Sequence, residues 1–151
     1  ALFGTDNICR RLAELAGRAD DARVVLTHHV TDDVVRSAQE LVWHAMTAQV
    51  QLVVGVQLSK LPADALLFAK GMAGLRGALA WLEAHLDDVL ARLPTPRDVS
   101  VLETSLFCLL EHLVFRPTLS LEAYPRLRAF AAAYATRDAA QRTPYRFDQG
   151  P

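Results

Sequence analysis

Apolar residues along this chain recur in steps of three and four, the period of a helix, and almost nowhere alternate in twos. In the first long segment Val34, Ala38, Leu41, Ala45, Ala48 and Leu52 form one continuous stripe. Thr31 is the predicted N-cap, with Asp32 and Asp33 suited to the positive end of the helix dipole. Alanine at 38, 45 and 48 lets a neighbouring helix approach closely. Val35, Val42, Met46 and Val53 make a second apolar face, so this helix is expected to be central and buried on two sides.

A second long helix is expected over residues 62–90, with Pro62 in its first turn and a stripe of Phe68, Met72, Leu75, Leu79, Leu82, Leu86 and Val89. Gly71, Gly74 and Gly77 cost about 1 kcal/mol each relative to Ala inside a helix, which predicts a close crossing or a bend there. No strand precedes them, so a phosphate loop is not expected. The segment LPTPRD breaks the pattern. Beyond it Ser100 and Glu103 have the spacing at which each side chain satisfies the other's free backbone amide, with Leu102, Leu106, Leu109 and Leu113 behind them. Arg116 and Pro117 end that helix. A last helix is expected over 122–137, burying Leu127, Phe130, Ala131 and Tyr134. The sum is an all-α bundle of five or six helices, two of them long.

Composition narrows the function classes. The chain has 151 residues, 52% of them hydrophobic and 22% charged, enough for one domain with its own core. A net charge of −1 removes any bulk electrostatic case for nucleic acid or an anionic membrane. Cys9 and Cys108 are isolated thiols without metal spacing, which points to a reducing, cytoplasmic setting. The apolar run 52–58 is too short to span a bilayer, and no basic leader precedes it, so a soluble protein is expected.

The segment RDVSVLETSLF resembles the capping-box segment of the glutathione transferase C-terminal domain, in which Ser or Thr is followed at the third position by Asp. Ser100 matches the cap, and Glu103 stands where Asp is usual. Val99 fits the apolar residue that precedes the cap in this family, whereas its partner position holds Thr104. Downstream, Tyr124, Pro125, Leu127, Phe130 and Arg137 are similar to the family's closing segment. LFGTDNICRRL resembles the last helix of the thioredoxin-like domain that comes first in these transferases: Ile8 and Leu12 match, Thr5 takes a Ser position, Gly4 replaces Glu and Arg11 replaces Tyr. The resemblance implies a glutathione transferase C-terminal-like bundle, divided into a remnant of that last helix at 1–18, the helical domain at 19–143 and a tail at 144–151.

The functional expectations follow from the resemblance. The thiol-activating Tyr, Ser or Cys of the family has no counterpart here, so no catalytic residue is assigned and the chain alone is not expected to be competent. Glutathione is the implied co-substrate if a thioredoxin-like domain is present, with Thr5 as the one candidate to touch it; the simpler role for Thr5 or Asp6 is to cap the first helix. Trp43, His44 and Thr47 lie midway along the first long helix, and Tyr145 and Phe147 in the tail are placed to close over them as an apolar co-substrate pocket. Trp43 and Tyr145 serve equally well as ordinary packing or subunit contacts. His28 and His29 beside Asp32 and Asp33 invite a metal, but neighbours on a helix do not share a face, and a solvated loop with no metal is expected. His85 and His112 have no partner at a catalytic spacing, and Cys108 reads as inert core. A homodimer through residues 31–90 is implied, with no nucleic acid or membrane partner. The alternative is a non-catalytic transferase-like module that docks a protein partner.

Overall fold

The structure, a computed structural model, describes residues 1–147; positions 148–151 of the expected tail lie outside the described residues. Among the described residues the chain forms six α-helices: α1 (Thr5–Leu15), α2 (Asp33–Leu52), α3 (Leu66–Arg92), α4 (Val101–Phe115), α5 (Pro125–Tyr134) and α6 (Asp138–Arg142). Two short strands, β1 (Val24–Val25) and β2 (Val99–Ser100), pair in parallel, Val24 opposite Val99 and Val25 opposite Ser100. The helical period predicts neither strand. They form because the segment after α1 runs alongside the residues that lead into α4.

The core is the meeting of α2, α3 and α4. Val35, Ala38, Val42 and Ala45 of α2 face Leu75, Leu79, Leu82 and Leu86 of α3, with Leu106, Leu109, Leu110 and Leu113 of α4 and Leu127 of α5 closing the cluster. Burying each leucine contributes about 1.5–3 kcal/mol. Ala38 and Ala45 are buried in this cluster, and Ala48 packs against it partly buried. The π-helical turn Val53–Leu58 continues α2 without a break, and Lys60, at φ 57, ends it in the left-handed conformation. The resulting helix, Asp33–Leu58, is long and apolar enough by composition to cross a bilayer, so the short-run argument made for 52–58 does not apply to it. In this fold one side of it packs against α3 and α4.

Several expected helix ends move. Asp32, not Thr31, caps α2, its Oδ1 accepting from the amides of Val34 (2.9 Å) and Val35 (3.1 Å). Pro62 lies in a turn, its carbonyl accepting from the Ala65 amide, and α3 starts at Leu66. The expected helix over 122–137 begins at Pro125 and ends at Tyr134, with α6 as a separate turn. The start of α5 is capped from a distance: both carboxylate oxygens of Glu83 on α3 accept from the amides of Arg126 (2.9 Å) and Leu127 (3.0 Å). Neither Thr5 nor Asp6 caps α1; Gly4, at φ 89, occupies the N-cap without a side-chain bond.

The close approach expected at Gly71, Gly74 and Gly77 is elsewhere. A Cβ on any of the three meets nothing within 4 Å, whereas one on Gly55 would collide with the Phe68 ring. The tight crossing therefore belongs to the end of α2 against the start of α3.

The Ser100–Glu103 pair forms with an added partner. Ser100 Oγ accepts from the Glu103 amide (3.1 Å) and donates to Glu103 Oε2 (2.6 Å). The carboxylate does not turn back to a backbone amide, because Arg97 grips it with Nε (2.8 Å) and Nη2 (3.1 Å). Thr104, at the position where an apolar staple is usual, donates to the Ser100 carbonyl (2.8 Å) and shares a 2.8 Å hydrogen bond with the Tyr134 hydroxyl. A polar link to α5 replaces the staple.

Candidate functional site

An apolar pocket of about 470 Å³ lies between α1, the β1 strand and the facing sides of α2 and α4. Helix α1 roofs it with Thr5, Cys9 and Leu12, Trp43 and Met46 come from α2, and Val101, Thr104 and Cys108 from α4. The amphipathic pattern of α1 explains its seat: it lays Ala13 and Cys9 onto Val24, Leu26 and Val101. The one charged residue in the lining is Arg18, and its guanidinium is held by Asp21 (2.6 Å) and Asp98 (2.7 Å). These bonds keep the Asp98 carboxyl below the usual range, as the Arg23 backbone amide and then Arg18 do for Asp21.

Trp43 contributes the one large aromatic ring to this pocket. Its Nε1 is buried and has no hydrogen-bond partner among the described residues. A buried indole N–H normally finds an acceptor. The thiols of Cys9 and Cys108 are both pushed above their ordinary pKa, chiefly by burial and then by Asp6 and Glu111 respectively. They are protonated near neutral pH and supply no thiolate nucleophile.

The structure divides the five predicted pocket residues. Trp43 lines the apolar pocket, as does Thr5, the separate candidate for glutathione. His44, the next residue along α2, points to another side of the helix, is exposed and lines a different cleft with Glu40 and Arg36. Thr47 is exposed and donates to the Trp43 carbonyl (3.0 Å). The tail does not close over Trp43. It folds onto α4, where Tyr145 stacks on Phe115 (5.5 Å) beside His112 (5.4 Å), and Phe147 packs on Phe115 (4.5 Å) under the Arg116 guanidinium (4.4 Å). Tyr145 reaches the pocket's edge only through a long bond from its hydroxyl to the Cys108 carbonyl (3.4 Å). Aromatic partners on α4 thus outcompete the α2 face that the sequence reading assigned to the tail.

Among the described residues no group of three or more His, Cys, Asp or Glu side chains is placed to hold a metal ion. His29 accepts from the Leu26 amide at 3.2 Å, and His85 stacks on Trp81 at 4.4 Å. Sequence reasoning missed the contribution of α1 and β1 to the pocket. Its signal was the small and apolar set Cys9, Leu12, Ala13 and Ala16 on one face of α1. Compared with protein-family models, with curated proteins and with solved structures, the chain matches none.

Proposed function

We propose that this chain is the helical part of a glutathione S-transferase-like protein, supplying the pocket for an apolar co-substrate, while thiol activation belongs to a thioredoxin-like domain outside the sequence described. The observation that carries this reading is the apolar pocket beneath α1, with the unpartnered Trp43 indole in its wall. Thr5 at the lip is the residue that would face glutathione. The protonated, free Cys9 and Cys108 agree with a reducing, cytoplasmic setting.

The test is binding. Titration calorimetry with glutathione on this chain and on a longer reading frame separates the roles of the two parts: binding by the longer form alone supports the transferase reading. Fluorescence titration with an anilinonaphthalene probe reports the pocket. Trp43→Ala is expected to weaken that probe about tenfold, the loss of one aromatic wall; unchanged binding would count against the pocket.

A second reading, a non-catalytic docking module, is favoured by α1. Its Ile8, Leu12 and Leu15 are exposed despite their apolar character, an arrangement that suits a covering partner or domain. For the homodimer through the long helices, the support is the exposed Leu58, Leu61, Leu66 and Leu67 where α2 meets α3. Sedimentation equilibrium is expected to give a dimer; a monomer at high concentration would remove this part of the proposal.

A further inference from the structure

The two long helices are joined by a knuckle that displays leucine to solvent. Leu58, Leu61, Leu66 and Leu67 lie close together in the chain and are 55%, 49%, 70% and 63% exposed, with Val54 exposed one turn earlier. The segment is folded rather than loose. The amides of Ser59 and Leu61 donate to the carbonyls of Val54 (2.9 Å) and Gly55 (3.0 Å), that of Ala65 donates to Pro62 (3.1 Å), and Gln57 Nε2 donates to the Pro117 carbonyl (2.7 Å). Phe68 anchors it, buried against Gly55. The four leucines are therefore not needed for the fold, and a polar side chain at any of these positions would leave the core as it is. Exposed apolar side chains gathered in one place mark a surface that is covered in use.

Charge points to what covers it. The chain has two lysines, and both flank the knuckle: Lys60 where the left-handed turn ends α2, and Lys70 in the first turns of α3. Between Glu40 and Glu83 the chain carries Lys60, Lys70 and Arg76 against the single acid Asp64. The overall charge of −1 hides this local excess, because the acids are concentrated elsewhere. Lys60 and Lys70 are both exposed. A lysine at the edge of an apolar patch lays its methylenes along the patch and keeps its ammonium in the polar layer.

We infer that this knuckle docks the protein on an anionic lipid bilayer. Leu58, Leu61, Leu66 and Leu67 enter the boundary between headgroups and acyl chains, and Lys60 and Lys70 pair with the lipid anions. One side of the helix Asp33–Leu58 is committed to α3 and α4, so the bundle meets the bilayer with its end and does not thread it. A second copy would cover the same leucines, as in the homodimer proposed above, but a two-fold contact there sets lysines toward lysines. An anionic surface answers both the leucines and the lysines, so it displaces that contact. The inference does not rest on the transferase reading.

The test is co-sedimentation of the full chain with vesicles of phosphatidylcholine, alone or with about a third phosphatidylserine. Binding to the mixed vesicles is expected to be about tenfold stronger or more, since each lysine near an anionic surface contributes about fivefold. Leu66→Ser combined with Leu67→Ser is expected to weaken binding about tenfold or more, with the melting temperature unchanged because neither side chain is buried. Lys60→Gln combined with Lys70→Gln should bring the mixed vesicles down to the level of phosphatidylcholine alone, and Asp64→Asn should strengthen binding. No binding to the mixed vesicles, equal binding to the two compositions, or binding that survives the paired leucine change would each overturn the inference. Sedimentation equilibrium on the same variants identifies the competing occupant: a dimer lost in the leucine pair, in a chain that ignores both kinds of vesicle, assigns the surface to a second copy instead.

Discussion

Replacing Gly55 by alanine is expected to lower the stability of the fold by about 2 kcal/mol, whereas the same replacement at Gly74 or Gly77 raises it by about 0.5–1 kcal/mol. All three glycines lie in helical segments, so alanine reduces the freedom of the unfolded chain and gains helix propensity at each. The sign is decided by space. At Gly74 and Gly77 the new methyl meets nothing within 4 Å, but at Gly55 it collides with Cε1 and Cζ of Phe68. That ring is 8% exposed and belongs to the main core cluster, so it has little room to withdraw. Overpacking of this kind costs about 1–3 kcal/mol and outweighs the propensity gain of about 1 kcal/mol. Urea unfolding of the three variants measures the contrast directly. Combining Gly55→Ala with Phe68→Leu should recover part of the loss, a favourable coupling between two residues in contact. If Gly55→Ala proved as stable as Gly74→Ala, the tight crossing between the end of α2 and the start of α3 would be wrong.

The second large effect is at Glu103. Glu103→Leu is expected to cost about 3 kcal/mol, because removing one member of a mostly buried ion pair leaves the other uncompensated. The side chains concerned are 14% and 17% exposed for Glu103 and Arg97, and Ser100 loses the acceptor for its hydroxyl as well. Glu103→Gln keeps an acceptor for Ser100 and Arg97 and should cost about 1 kcal/mol. The two variants also differ from the parent in acid. Burial raises the Glu103 carboxyl, but the hydrogen bonds from Arg97 and Ser100 outweigh it, so its pKa in the fold lies below the ordinary value. A depressed carboxyl contributes stability that is fully present above the unfolded pKa of about 4.3 and is lost as pH falls through the folded value. Melting temperature followed from neutral pH downward should therefore converge between parent and Glu103→Gln below about pH 4. A gap that stayed constant through that range would mean the ion pair contributes nothing to folding.

Acidification acts earlier on the histidines. Burial, followed by Arg116, lowers the pKa of His112 in the fold. The unfolded chain then binds the proton first, so stability begins to fall below the ordinary histidine value of about 6.5. That window lies above the one in which Glu103 titrates, and comparison of parent with Glu103→Gln cancels it.

Much of this architecture is written in local spacing. The stripes from Val34 to Leu52 and from Phe68 to Val89 are periods of three and four residues, and they identify the two long helices because burial of one face needs no knowledge of what covers it. Ser100 and Glu103 mark the start of α4 for the same reason: the cap and the amide it satisfies lie within one turn. The expected glycine crossing shows the limit. Gly71, Gly74 and Gly77 are conspicuous in the sequence, yet only the placement of α2 on α3 determines that Gly55 is the one without room.

The all-α character, the central helix, the break at LPTPRD and the Ser100 cap are legible from residue spacing, since these depend on neighbours three or four positions away. What meets across the chain depends on how the helices are packed. Packing brings Glu83 to the start of α5, Arg97 to Glu103, and the tail aromatics to Phe115 rather than Trp43. Contacts between segments far apart depend on which faces of the helices are pressed together, and periodicity states that a face is buried without stating against what.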